Sequence, residues 1–243
     1  MSHSQVKILE GAFVISDAHY SDLRPQLLSL IKDIDSQKLL PTQLIFMGDI
    51  FDALFGEVPY THEINQELIS LINSISQRIE VIYLEGNHDF NLNKIFPFSK
   101  IFPFKTQPVL CSYGDKRVYL AHGDFDGVKS YQVYTGLIRS KIVLSFLRVV
   151  DTVLNHLILN KLDDYLGKKD DCREFIGFEK FIYMRLNDRY ECDYFIEGHY
   201  HQNSSFKLKR FHYINLAAFA CNQRYFIVKS SQDKELLKEE ILS

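Results

Sequence analysis

Unbroken apolar runs alternate with amphipathic stretches along the first third of the chain. Ala12-Phe13-Val14-Ile15, Gln43 to Met47 and Glu80 to Leu84 are short and rich in β-favouring residues, and so read as strands covered on both faces. Between them, apolar positions recur at helical spacing from about Leu23 to Gln37 and from about Glu63 to Ile75. Strand, helix, strand, helix, strand at this spacing predicts parallel βαβ units with right-handed crossovers. Ligand sites in such sheets lie beyond the carboxyl ends of the strands.

After residue 90 the pattern changes. Residues 91–108 are rich in Phe, Pro and Lys and predict an irregular segment over a hydrophobic edge. Strands resume at Pro108 to Cys111 and Lys116 to Ala121, joined by a turn at Tyr113-Gly114-Asp115, and again at Asp193 to Glu197. The runs 205–208, 211–216 and 224–229 read as short antiparallel strands closing a second sheet, and the charged tail 233–243 as helical or frayed.

The stretch from His122 to His199 is far longer than one crossover needs, which predicts a helical cap insertion over about 128–188 in an otherwise single domain spanning 1–243. Ile142 to Leu159 is apolar except for one stripe, Ser145, Arg148, Asp151, Thr152, Asn155 and His156, so the other faces of a helix there are hydrophobic. Charges within it argue against a membrane-spanning segment. Between Val128 and Lys169 seven Lys or Arg face three Asp, a local +4 in a chain of net charge -3. A basic, apolar lid suits a substrate carrying phosphate and acyl chains, met at a membrane surface. A helix buried between body and cap, or a dimer contact, fits the same pattern. The net charge gives no support to nucleic-acid binding. Cys111, Cys172, Cys192 and Cys221 lie far apart without paired spacing, which reads as reduced thiols in a cytosolic protein. The first apolar run is too short for a secretory signal.

Candidate chemistry collects at the strand ends. Asp17 and His19 follow the first strand, two residues apart and so on one side of an extended chain. Gly48-Asp49-Ile50-Phe51-Asp52 follows the second, Gly86-Asn87-His88-Asp89 the third, His122-Gly123-Asp124 the next, and Gly198-His199-Tyr200-His201 the last. Each cluster alone reads equally as a polar turn or a helix cap. Together, five strands ending in Asp, Asn or His predict a metal centre for Mn, Fe, Zn or Co, and the lack of thiolates argues against a structural zinc site. Seven candidate ligands are too many for one ion and suit two sharing a carboxylate.

This ordered set resembles the calcineurin-like metallophosphoesterase superfamily, over residues 17 to 201. The resemblance implies an α/β fold, a four-layer α-β-β-α sandwich with a helical cap. It implies that Asp17, His19 and His201 hold one divalent ion, Asn87, His122 and His199 a second, with Asp49 bridging and Mn the first candidate metal. His88 is implied as the catalytic group just outside the ligand shell, a proton donor or charge stabiliser. Asp52, Asp89 and Asp124 are implied to orient imidazoles and loops. Two such ions generate a nucleophile at neutral pH and clamp phosphoryl oxygens, so phosphate ester or anhydride hydrolysis is the implied reaction.

Within the superfamily the chain resembles the UDP-2,3-diacylglucosamine diphosphatases of lipid A synthesis. The resemblance rests on Gly48-Asp49-Ile50-Phe51-Asp52, His122-Gly123-Asp124 and the Tyr131-Gln132 pair near the start of the insert. It implies hydrolysis of UDP-2,3-diacylglucosamine to UMP and 2,3-diacylglucosamine 1-phosphate by a cytoplasmic protein peripheral on the inner membrane. Asn87, His88, Tyr131, Arg139, Lys141, Lys168 and Lys169 are then the expected substrate contacts. Three features depart from that pattern: His88 stands where the best-known members have Arg, the acidic run after His122 is shortened, and the Ser- and Lys-containing stretch is only loosely echoed by Lys168-Lys169. The alternatives are a metallophosphoesterase for a non-lipid nucleotide or other phosphate ester, and a non-catalytic scaffold of the same fold.

Overall fold

In a computed structural model of the protein, which describes residues 6–127, 129–168, 171–230, 232–233 and 235–242, the predicted strand-helix alternation is present. The chain opens with β1 (Val6–Lys7) and β2 (Phe13–Ile15), then passes through α1 (Gln26–Asp35) to β3 (Gln43–Phe46) and β4 (Leu54–Phe55). Helices α2 (Pro59–Ile64) and α3 (Gln66–Ser76) lead to β5 (Glu80–Leu84), β6 (Asp89–Phe90) and β7 (Lys100–Phe102). The hairpin β8 (Val109–Tyr113) and β9 (Lys116–Ala121) precedes four helices, α4 (Lys129–Ile138), α5 (Lys141–Val153), α6 (Leu157–Gly167) and α7 (Phe178–Leu186). The last elements are β10 (Tyr194–Glu197), β11 (Ser204–Lys207), β12 (His212–Asn215), the short α8 (Phe219–Asn222), β13 (Arg224–Val228) and β14 (Leu237–Ile241).

Two six-stranded sheets face each other. One runs β14-β13-β2-β3-β5-β7 and the other β1-β8-β9-β10-β12-β11. Val14, Ile45, Ile82, Val118, Leu120 and Ile196 fill the space between them. On the far side of the first sheet, Phe13, Ile15, Leu44 and Phe46 pack on Leu27, Leu30 and Ile31 of α1 and Leu68 and Ile72 of α3. On the far side of the second, Phe195 and Tyr213 pack on Phe178, Ile182 and Leu186 of α7. Alternate residues of each central strand therefore serve different layers, which is why the apolar runs are unbroken. Each fully buried side chain of this size contributes about 1.5–3 kcal/mol. The result is the expected α-β-β-α sandwich.

Several boundaries and pairings differ from the sequence reading. The helix expected from Glu63 to Ile75 is two helices, broken at Asn65, whose side-chain amide donates to Thr61 O at 2.8 Å and Ala53 O at 3.2 Å. Inside the stretch expected to be irregular, β7 extends the first sheet parallel to β5. Of the strands expected to be antiparallel, β12 runs parallel to β10 and β13 returns to the first sheet beside β2. Within the tail expected to be helical or frayed, β14 pairs antiparallel with β13 from Leu237 to Ile241. Its charged side chains sit on the sheet's outermost strand, where a polar face costs nothing.

The continuous apolar helix expected from Ile142 to Leu159 bends sharply between α5 and α6, where Asn155 and His156 both take positive φ. Asp151 holds the bend by accepting from Ile158 N at 2.9 Å, Leu159 N at 3.2 Å and His156 Nδ1 at 3.0 Å. Among the described residues no single helix is long and apolar enough to cross a membrane. Cys172 and Cys221 form a disulfide, contrary to the expectation of four thiols, while Cys111 and Cys192 are free and buried. Their separation of 49 residues hid a pairing that only the folded backbone creates.

Candidate metal centre

All five strand-end clusters meet in one cleft, at the carboxyl ends of β2, β3 and β5 in one sheet and β9 and β10 in the other. Ligand atoms of Asp17, His19 and His201 lie within 4.8 Å of one another, as do those of Asp49, His122 and His199. Asn87 joins the second group, its Oδ1 3.3 Å from His122 Nε2. Asp49 Oδ2 lies 3.3 Å from His122 Nε2 and 4.0 Å from His88 Nε2, and His201 Nε2 lies 3.1 Å from Asp17 Oδ1.

The backbone is bent to make this convergence. Asp17, His19, Asp49, His199 and His201 all have positive φ, between 44° and 62°. Such conformations cost non-glycine residues about 1–3 kcal/mol each and persist where surrounding structure imposes them, often at functional sites. Two glycines permit the close approach of neighbouring loops. A Cβ on Gly86 would collide with the Asp49 carboxylate and amide, and one on Gly198 with Ser16 Oγ and Asp17 Oδ2. Asp89 fixes two loops at once, accepting from Asp49 N at 3.0 Å, Ile50 N at 2.6 Å and Gly86 N at 3.0 Å and from Tyr83 Oη at 2.6 Å.

Hydrogen bonding sets which imidazole nitrogen faces the cleft. His122 Nδ1 donates to Met47 O at 3.0 Å, His88 Nδ1 to Asp52 O at 2.9 Å, and His201 Nδ1 to Asp171 O. A carbonyl only accepts, so each Nδ1 carries the proton and Nε2 is presented to the cleft, the arrangement that orients metal-binding histidines. Neither ring nitrogen of His19 and neither carboxylate oxygen of Asp52 makes a hydrogen bond, although all four atoms are buried; His19 Nδ1 lies 3.3 Å from Asp52 Oδ1. Buried polar atoms without partners are rare and mark places where an ion or ligand completes the set.

Charge points the same way. Burial opposes ionisation of Asp17 and Asp49, but His201 holds Asp17 down at about 2 and His122 holds Asp49 well below the usual carboxylate range. In turn, despite burial, Asp49 raises the pKa of His122 and Asp17 that of His201. Burial and the neighbouring His122 push His199 down to about 4, and burial with the nearby Asp49 pushes Asp89 up to about 7. Two buried carboxylates thus demand positive charge facing them. Divalent cations seated among oxygen and imidazole donors meet that demand, and the residues present fit them.

A family model for calcineurin-like phosphoesterases matches residues 12–203, most of the chain. The protein belongs to the calcineurin-like phosphoesterase family. Membership makes it a hydrolase and implies divalent metal ions, which the His/Asp clusters of the cleft could hold. Among curated relatives, UDP-2,3-diacylglucosamine hydrolase of Histophilus somni is 24% identical over 209 residues, covering 81% of this chain and 86% of that protein. The hydrolase of the same name from Haemophilus influenzae strain PittGG is 31% identical over 119 residues, covering 48% of this chain and 49% of that protein, so that match spans about half the length of each. Among solved structures, an archaeal phosphodiesterase aligns with TM-score 0.47 at 16% identity, covering 95% of this chain and 99% of that one. A phosphoesterase from E. coli aligns with TM-score 0.45 at 12% identity, covering 96% and 99%.

The expected substrate contacts are placed less uniformly than the expected ligands. Asn87 and His88 are in the cleft. Arg139, following α4, instead clamps the site loops: its Nη2 donates to Gly86 O at 2.8 Å and Asp124 Oδ2 at 3.0 Å, and its guanidinium lies over Phe104. Lys141 points to Glu57 at 3.9 Å and Lys168 to Asp164 at 2.7 Å, both on exposed surface. The Tyr131 side chain and Lys169 lie outside the described residues. Sequence reading passed over Ser16, which bonds the Asp17 carboxylate, and Asn215, which donates to Gly198 O at 2.7 Å. It also passed over Asp171, which binds His201 through its carbonyl and Arg24 Nη1 at 2.8 Å through its carboxylate. None of the three belongs to a motif, so no signal in the sequence announced them.

Proposed function

We propose that the protein hydrolyses the pyrophosphate of UDP-2,3-diacylglucosamine, releasing UMP and 2,3-diacylglucosamine 1-phosphate. In this reading Asp17, His19 and His201 hold one divalent ion and Asn87, His122 and His199 the other. Asp49 serves both, and Mn is the first metal to test. The observation that carries the hydrolytic reading is the pair of His/Asp clusters facing one cleft, with Nε2 of His122 in one and of His201 in the other turned inward.

When bound, two divalent ions supply Lewis-acid stabilisation of the phosphoryl oxygens and activate water at neutral pH. His88 completes the site from the protein side. Its Nδ1 is tied to Asp52 O, so Nε2, 4.0 Å from Asp49, is the atom that faces a phosphoryl oxygen, and it is the imidazolium form of the ring, with a proton on each nitrogen, that donates there as charge develops. His88 thereby takes the place of the Arg that other diacylglucosamine diphosphatases present. Asp89 and Asn215 keep the loops from shifting as charge builds.

The lipid part of the proposal is supported by the names of the relatives and by the helices beside the cleft. Leu159 and Asn160 of α6, with Tyr20, Asp52, Tyr60 and Ile64, line a cavity of about 240 Å³ next to the His19–Asp52 pair. Ile142, Phe146, Val149 and Val153 form a stripe along α5 that faces solvent, with Ile142 83% and Val153 80% exposed. Lys141 and Arg148 on the same helix add positive charge, a composition suited to the anionic face of an inner membrane on which the protein would sit peripherally. A second reading, a phosphoesterase for a non-lipid nucleotide or other small phosphate ester, is favoured by the inward engagement of Arg139.

Incubation of the Mn-loaded protein with UDP-2,3-diacylglucosamine, UDP-glucose and an aryl phosphodiester separates the two. UMP release from the acylated substrate at least tenfold faster than from UDP-glucose is the expected outcome, given the apolar area that two acyl chains bury. Equal rates on both would remove the lipid assignment and leave the second reading.

A further inference from the structure

One buried cation plays no part in the site as described so far. Arg185, near the end of α7, has a side chain only 9% exposed and sits behind the loops that carry His122 and His199. Its Nη1 donates to Glu197 Oε2 at 2.8 Å and its Nη2 to Glu197 Oε1 at 2.9 Å, a two-pronged pairing. Nη2 also donates to Gly123 O at 2.9 Å, and Nε to Asp126 Oδ1 at 2.6 Å. Phe125 and Tyr200 lie against the guanidinium with ring centroids 4.9 and 5.4 Å away, and Tyr200 Oη donates to the same Gly123 O at 3.0 Å.

The sequence positions of these partners give the arrangement its meaning. Gly123 is the residue after His122, and Glu197 is separated from His199 by Gly198 alone. One guanidinium therefore grips the chain next to both imidazoles, which face each other with ring centroids 4.9 Å apart. Glu197 is fixed from its other side by Tyr213 Oη at 2.9 Å, and its backbone carbonyl by Asn215 Nδ2 at 3.1 Å. The comparable ties on the other cluster come from different residues, Asp171 on His201 and Ser16 on Asp17. Arg185 bonds none of the Asp17, His19 and His201 side chains; the link between the halves is His199 N, which donates to the Asp17 carboxylate at 3.0 and 3.1 Å.

We infer that Arg185 is the positioning residue for the His122–His199 half of the metal centre, setting the separation and angle of two imidazoles that it does not touch. The inference rests on the two-ion reading above. A lysine at 185 would keep the charge but not the planar fork that spans Glu197 and Gly123 together. A role in fold stability alone would lower the melting temperature without distinguishing the two ions.

Calorimetric titration of Mn into variants that each retain one cluster tests this. His19→Ala breaks the Asp17 cluster and leaves the His122–His199 cluster to be titrated, and His199→Ala does the reverse. Adding Arg185→Lys is expected to raise the Mn dissociation constant at least tenfold in the His19→Ala background and less than about twofold in the His199→Ala background, the size seen when partners orienting a ligand are lost. Equal changes in both backgrounds, or none in either, would overturn the inference. Should Arg185→Lys fail to fold, Arg185→Gln/Glu197→Gln, which removes both charges together, is read against the same two outcomes. Wild-type protein binding fewer than two Mn ions would instead overturn the two-ion reading itself, a result visible before any variant is compared.

Discussion

At the scale of single residues, the site depends on contacts that tolerate no added atom. Gly198 approaches Ser16 and Asp17 so closely that a methyl group must displace the Asp17 carboxylate. Gly198→Ala is therefore expected to lower turnover by about 100-fold, the consequence of a ligand misplaced by an ångström. Steady-state assay beside a thermal melt checks it, and a normal rate would show that the loop gives way harmlessly. His88→Ala separates chemistry from metal binding, because the imidazole is held by Asp52 O outside either ligand cluster. A fall of about 10²–10⁴ in turnover with metal content retained is expected. Loss of metal together with activity would assign His88 to the ligand shell instead.

The polar residues that meet in the cleft were legible because a strand end places its polar residues in one known location, Asp17, Asn87 and His199 among them. The carbonyls that orient them, from Met47, Asp52 and Asp171, are invisible in sequence, since every residue has one. So is the left-handed backbone of Asp17, His19, Asp49, His199 and His201, which glycine would have announced and these residues do not.

At the scale of elements, periodicity located the buried strands and amphipathic helices well and failed where an element has only one covered side. Edge strand β14 reads as a charged tail because Lys238, Glu239 and Glu240 run consecutively along it, and its pairing with β13 is a tertiary fact. Helix α5 shows the reverse: its apolar majority fits an exposed lid and a buried helix alike, and only the folded chain shows that Leu144 and Asp151 are its buried residues while the Ile142–Phe146–Val153 stripe faces solvent. If that stripe meets a membrane, Ile142→Glu/Phe146→Glu should reduce co-sedimentation with anionic vesicles by at least tenfold, since each buried apolar side chain is worth about 1.5–3 kcal/mol. Hydrolysis of a soluble aryl phosphodiester should be unchanged. Undiminished vesicle binding would place the contact elsewhere.

At the scale of the whole molecule, the two sheets bring five distant chain segments to one cleft, and the same geometry concentrates Asp17 and Asp49 where burial alone would not tolerate their charge. Cations bound there would hold the sheets together as well as supply chemistry. Free Mn at 100 times its dissociation constant adds about 2.7 kcal/mol per site to stability, so a rise in melting temperature of roughly 5–10 °C per ion, or about 10–20 °C for two, over chelated protein is expected. An unchanged melt would mean that no ion binds the folded state preferentially. The α-β-β-α layering was legible because parallel βαβ units constrain it strongly. The Cys172–Cys221 disulfide was not, because it joins the segment after α6 to α8, neighbours only in the folded chain.

The central claim is that two ions share this cleft with Asp49 between them, and anomalous diffraction from crystals of Mn-loaded protein tests it most directly. The expected result is two peaks, one contacting Asp17, His19 and His201, the other Asn87, His122 and His199, with Asp49 contacting both. A single peak, or one seated instead among His19, Asp52 and His88, the third group close enough to hold a metal, would contradict it.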